Sequence, residues 1–195
     1  WVFGPRRARW TGCSLVLLIA VLALVAAGGC TPKPPSSWAG GGTTLEIPRA
    51  QWVLGQSAVE LMANGEVLAD GRLAIMIDRV GRVYDDEGEP IGVLLPDGTL
   101  LGTEDEPLGM VGARSASLAE DGFAWLSLEP NGQVVRYDRD GQRYPFGAWF
   151  GCGEDPRARQ ACLLVSHVLG MEMRKRRGDG GPSFGFGVGV MVPVR

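Results

Sequence analysis

The stretch Gly81-Arg-Val-Tyr-Asp-Asp-Glu-Gly-Glu-Pro-Ile-Gly92 decides how the chain is read. It holds a short β-rich piece, an acidic turn and a return toward a second apolar piece. Gly132-Gln-Val-Val-Arg-Tyr-Asp-Arg-Asp-Gly-Gln142 echoes it, with a Val two residues after the first Gly and an acidic turn before the next. The same punctuation recurs at Asn64-Gly65, Asp70-Gly71, Val80-Gly81, Glu87-Gly88, Asp97-Gly98, Asp121-Gly122, Asn131-Gly132 and Asp140-Gly141. Asn-Gly and Asp-Gly favour two-residue hairpin turns, whose central positions both need positive φ. From Gly65 to Gly98 the glycines alternate at about ten and six to seven residues, which predicts a repeated hairpin unit of roughly 17 residues.

Between the turns lie pieces of strand length: Arg72 to Asp78, Ile91 to Leu95, Phe123 to Leu128 and Gln133 to Tyr137. Elements joined this closely pair antiparallel, because a parallel crossover needs a dozen or more residues. The expectation is a mainly β domain over residues 45–195, an antiparallel hairpin meander curled into a sandwich or partial barrel, with a propeller fragment as the alternative. One C-terminal helix is predicted over about 156–177. Asp155 caps it, Pro156 takes the first helical position, and Arg174, Lys175, Arg176 and Arg177 meet the negative pole of its dipole. Ala158, Ala161, Cys162, Val165, Val168 and Leu169 form one apolar stripe, and Gly170 is expected to weaken the helix or end it early. The tail over 184–194 alternates Phe184, Phe186, Val188, Val190, Val192 and Val194 against glycines, Met191 and Pro193. That period predicts a final strand, returning to the sheet or offering an edge to a partner's sheet.

Ahead of the domain, residues 31–44 are rich in Pro, Gly and Ser, with Trp38 their one large apolar side chain. They predict a disordered linker that holds the domain off a surface, with Trp38 touching lipid headgroups or docking on the domain. Further upstream, Arg6, Arg7 and Arg9 precede an apolar run from Leu15 to Ala27. As a helix that run rises roughly 20 Å, too short for a ~30 Å hydrocarbon core but the right length for a signal peptide. It stops at Ala27-Gly28-Gly29-Cys30. Small residues before a cysteine resemble the lipobox of bacterial lipoproteins, although Ala27 stands where that family prefers Leu. The resemblance covers residues 6–30. It implies a signal peptide over 1–29, cleavage before Cys30, a diacylglyceryl group on the Cys30 sulfur and acylation (palmitate) of the new amino terminus. It also implies residence in the cell envelope, and Thr31, in place of the Asp that signals inner-membrane retention, favours the outer membrane. An ordinary secretory cut after Ala27 or Gly29 and an uncleaved anchor helix are the alternatives. The chain opens on Trp1 rather than Met, so it is expected to begin inside a longer reading frame or to have a misassigned start.

With Arg6, Arg7 and Arg9 removed, 16 basic residues face 22 acidic ones, a formal charge of −6. That balance disfavours phosphate backbones and argues against a nucleic-acid partner. Cys13 leaves with the leader and Cys30 takes the lipid. Cys152 and Cys162 remain, and in an oxidising compartment they predict a disulfide, with two buried thiols as the alternative. Two thiols and the single histidine are too few for a zinc site, and Asp138-Arg139-Asp140-Gly141 fails as a calcium loop because Trp149 stands at its twelfth position. Asp85 to Glu89 is denser in carboxylates and reads as a solvated acidic turn, with calcium ligation as the alternative. His167 adjoins Ser166, but neighbouring helical residues diverge by about 100°, so the two do not form a catalytic pair. Trp52, Trp125, Trp149 and Phe150 make either a ligand platform or core. No catalytic constellation, metal or cofactor is expected. The leading expectation is a lipid-anchored binding domain for an envelope protein or glycan. The alternatives are an assembly role through strand addition, and a hydrolase whose residues meet only in space.

Overall fold

A computed structural model describes residues 33–176, and within them the meander closes. The strands are β1 (Ala50–Leu54), β2 (Ser57–Leu61), β3 (Glu66–Ala69), β4 (Arg72–Ile77), β5 (Arg82–Tyr84), β6 (Pro90–Leu94), β7 (Thr99–Gly102), β8 (Pro107–Val111), β9 (Ser115–Leu118), β10 (Ala124–Leu128), β11 (Gln133–Tyr137) and β12 (Arg143–Phe150). Each pairs antiparallel with its sequence neighbours, and β12 returns to β1 in the register Gln51↔Phe150, Trp52↔Trp149. The result is a closed twelve-stranded barrel, not a sandwich or a propeller. Its upper rim carries the loops at 62–65, 78–81, 95–98, 112–114 and 129–132; its lower rim carries those at 55–56, 70–71, 85–89, 103–106, 119–123 and 138–142.

Most of the turns differ from the two-residue expectation. In six loops the glycine amide bonds back to a carbonyl three residues earlier, as Gly81 does to Asp78, and the glycine alone has positive φ. This is a three-residue loop, a type I turn followed by a left-handed glycine. Among the Asn-Gly and Asp-Gly pairs only Asp70-Gly71 has both residues at positive φ, 50° and 78°; Glu104 and Asp105, in the loop after β7, share that conformation at 63° each. Where an aspartate opens the loop, it does as much as the glycine. Asp78 Oδ1 accepts from the Val80 and Arg82 amides, and Asp138 Oδ1 from Asp140 and Gln142. These bonds, the Gln142 amide foremost, hold the Asp138 carboxyl below the usual aspartate range.

Eight strands close a barrel that side chains can fill; twelve leave a lumen that they cannot. Here the lumen takes α1 (Pro156–Arg176). Asp155 caps it as expected, its Oδ1 accepting from the Arg157 and Ala158 amides. The single apolar stripe is not what is found. All thirteen residues from Ala161 to Met173 are buried, on every side of the helix. Nine of them, the apolar side chains other than Gly170, form one core with Trp52, Leu61, Ile75, Leu100, Leu126 and other inward-facing strand residues. A helix apolar all round belongs inside a core, not on its surface.

Polar contacts fix the helix lengthwise. At the upper rim Arg159 Nη2 donates to the Leu128 and Glu129 carbonyls, and Gln160 Nε2 to Val111. The Cys152–Cys162 disulfide, with its Cα atoms 6.3 Å apart, joins the first turns of α1 to the chain just after β12. Replacing both cysteines with serine is expected to lower stability by about 2–3 kcal/mol from loop entropy, read as a shift of the urea midpoint.

Gly170 does not break the helix. A Cβ there would lie 2.7 Å from Trp125 Cη2 and 3.3 Å from Phe146 Cε1, so the absent side chain lets the two rings close on the axis. In an exposed helix Gly→Ala gains about 1 kcal/mol. Here Gly170→Ala is expected to lose about 1–3 kcal/mol by overpacking against a ring that cannot flex away. Urea unfolding of this variant reads the sign directly.

The expected linker is also ordered where it is described. Lys33 and Ser36 bond to the lower-rim loop at Glu104 and Asp105. Trp38 docks edge-on against Tyr84 at 4.9 Å, and Arg82 donates to the Trp38 and Ala39 carbonyls. The Gly42 and Thr43 amides then bond to Val80 and Leu94 at the upper rim, where Leu45 and Ile47 enter the core before β1. This strap is held by main-chain bonds and one aromatic ring, which is why a segment lacking an apolar face can still be fixed. The leader, Cys30 and the tail over 184–194 lie outside the described residues. Every strand of the barrel already has two partners, so the sheet has no edge for that tail to join.

Candidate functional site

None of the three inward tryptophans is available to a ligand. Trp52, Trp125 and Trp149 are at most 3% exposed, and their indole N–H groups are taken up internally. Trp52 donates to the Phe146 carbonyl, Trp149 to Ser166 Oγ and Trp125 to His167 Nδ1, the last two at 2.8 Å. Phe150 alone of the expected platform is exposed.

His167 is fully buried. Because Nδ1 accepts from Trp125, its proton sits on Nε2. That atom is turned toward the Leu108 backbone but closes no aligned hydrogen bond. Burial pushes the imidazole down to about 4, offset slightly by the Leu108 backbone, with no carboxylate contributing. Ser166 Oγ points elsewhere, toward the Cys162 carbonyl and Trp149. A neutral, sealed imidazole with no carboxylate behind it and no nucleophile before it has the environment of a packing group, not of a general base. Among the described residues no three His, Cys, Asp or Glu side chains gather as metal ligands. Asp85 accepts from the Glu87 and Glu89 amides and so serves its own turn.

With the lumen filled, the surface open to a ligand is the outer wall and the two rims. A groove of about 750 Å³ crosses the outer wall of β9, β10 and β11 and reaches the upper rim, within the ordinary size range of ligand sites. Ser115, Ser127 and Tyr137 line its wall; Ser127 Oγ and the Tyr137 hydroxyl are 3.2 Å apart. Pro130, Pro156 and Glu154 line its upper end. Strand alternation puts these hydroxyls outward, because Ala116, Leu126 and Val134 of the same strands face the core. A second, smaller pocket opens at the lower rim. Neither is visible as a sequence motif, since each joins residues from three or more separate elements.

Gln51, Glu60, Arg72 and Gln133 lie exposed on the barrel's outside while its lumen is apolar, the inverse of the apolar-out, polar-in pattern of a lipid-spanning barrel. Among the described residues no helix is long and apolar enough to cross a membrane. No known family, curated protein or solved structure matches the chain.

Proposed function

We propose that the protein is a lipid-anchored barrel of the cell envelope, held through Cys30, that binds an envelope protein or glycan on its outer wall and performs no chemistry. The observation that carries the binding reading is the outer groove of β9–β11 beside a lumen closed by its own helix. The leader supports the anchor. The strap supports an orientation: it leaves the lower rim at Lys33, and only Thr31 and Pro32 stand between Lys33 and Cys30. A tether of three residues spans at most about 11 Å. On this reading the lower rim faces the bilayer, and the groove, which reaches the upper rim, faces away from it. Outer-membrane residence is the favoured placement. Strand addition is left to the tail alone, because the barrel offers no edge.

The test uses the acylated full protein in detergent-solubilised envelope. Ala124→Trp fills the groove from its wall. Capture of a specific partner that this variant loses, while an outward substitution on the far wall such as Arg72→Gln keeps it, supports the proposal. Capture indifferent to both substitutions, or absent, contradicts it. Cys30→Ser checks the anchor separately: the mass of the processed chain should lose its acyl groups.

A further inference from the structure

The pocket at the lower rim, about 350 Å³, lies between the β9–β10 and β11–β12 loops and the last turn of α1. Arg136, Arg139 and Arg174 line it. Arg136 shares the inward face of its partner Leu126, so it opens into the barrel's lower mouth beside the end of the helix. Its guanidinium is held over the Tyr144 ring at 5.4 Å. Among the described residues none of the three arginines forms a salt bridge. Asp138, a carboxylate of the lining, is already used: Oδ1 takes two backbone amides and Oδ2 takes the Tyr144 hydroxyl at 3.0 Å. Asp121 is the one opposing charge in the lining without such bonds, and Phe123 and Trp125 are its inner aromatic residues.

We propose that this pocket binds a phosphate group. Three guanidinium groups drawn together repel one another, and a multivalent oxyanion relieves that repulsion. Each guanidinium presents a planar fork that matches oxyanion geometry, and three forks need more oxygens than one carboxylate offers. The cavity is larger than a simple halide needs and has aromatic walls for whatever bears the phosphate. Free phosphate and a phospholipid headgroup share this chemistry. For the tethered protein the headgroup is the nearer source, because the lower rim faces the bilayer; that assignment rests on the anchor reading, while phosphate binding itself does not.

The experiment is calorimetric titration of the full chain in a neutral, phosphate-free detergent at constant ionic strength. One arm adds inorganic phosphate; the other adds micelles of the same detergent doped with phosphatidylglycerol. Saturable binding is expected, weakened about 10-fold by Arg139→Gln or Arg174→Gln, as loss of one charge-assisted bond implies. Asp121→Asn should tighten it, and Arg143→Gln, whose side chain pairs with Glu129 outside the pocket, should leave it unchanged. Response in both arms supports phosphate as such, and response to doped micelles alone supports the headgroup. No saturable response in either arm, or one that both arginine variants leave intact, overturns the proposal. Cys30→Ser leaves binding in this assay untouched, so a failed anchor and a failed phosphate site give different results.

Discussion

Acidification from pH 7 to pH 4 is expected to remove on the order of 3 kcal/mol of stability through His167 alone. The group is neutral when folded and titrates at about 4, against 6.5 when exposed. Its folded value is depressed, so between those limits the unfolded chain binds the extra proton. The full contribution is therefore present above pH 6.5 and is lost as pH falls toward 4. The structural reason is plain: protonation at Nδ1 would set an N–H against the Trp125 indole N–H, which now donates to that atom at 2.8 Å. Asp97 and Asp138, both held low by backbone amides, act in a lower window, near and below the ordinary carboxylate range. His167→Gln retains an acceptor for Trp125 and does not titrate. Its urea midpoint should fall much less between pH 7 and pH 4.5 than the parent's. Parallel profiles for the two proteins would remove His167 from the account.

Truncation along α1 is the second large effect. Leu163→Ala, Leu164→Ala and Val165→Ala change three consecutive residues, which point about 100° apart around the helix. All three positions are fully buried. Leu→Ala in a core costs about 2–5 kcal/mol, so both leucine variants should fall in that range, with Val165→Ala somewhat below them. A helix lying on a surface would bury one or two of the three and leave another near zero. Denaturant unfolding at pH 7, above the His167 window, separates the two cases. A variant among these three that unfolds like the parent would place one side of the helix in water.

Much of the barrel was legible because its turns are written in the chain. The acidic residues and glycines fall at hairpin spacing, and β-branched and apolar residues fill the intervals. What could not be read was the loop length, because Asp-Gly serves both a two-residue loop and the end of a three-residue one. An aspartate three before the glycine marks three of the six three-residue loops, at Asp78, Asp85 and Asp138, while Met62, Leu95 and Glu129 open the others. Closure depends on β1 meeting β12, a pairing across almost the whole domain that no local pattern specifies. The helix was placed nearly to the residue by its cap and its terminal charges, but its surroundings were misread. A signal was present: no charged residue stands between Arg159 and Glu172, and apolar residues occupy every side. The strap was hidden because its fixing comes from main-chain bonds to Val80 and Leu94 rather than from its composition. The arginine pocket was hidden because Arg136 and Arg174 meet only once the helix has traversed the barrel.

The central claim is that α1 is the barrel's axle, fills the lumen, and leaves the outer wall and the rims for binding. Native-state amide hydrogen exchange tests it most directly. The account predicts that amides of Ala161 to Met173 exchange only through global unfolding, with the same opening free energy as the most protected amides of the surrounding strands. Helix amides that open well before those strands would show that the lumen can be vacated, and would contradict it.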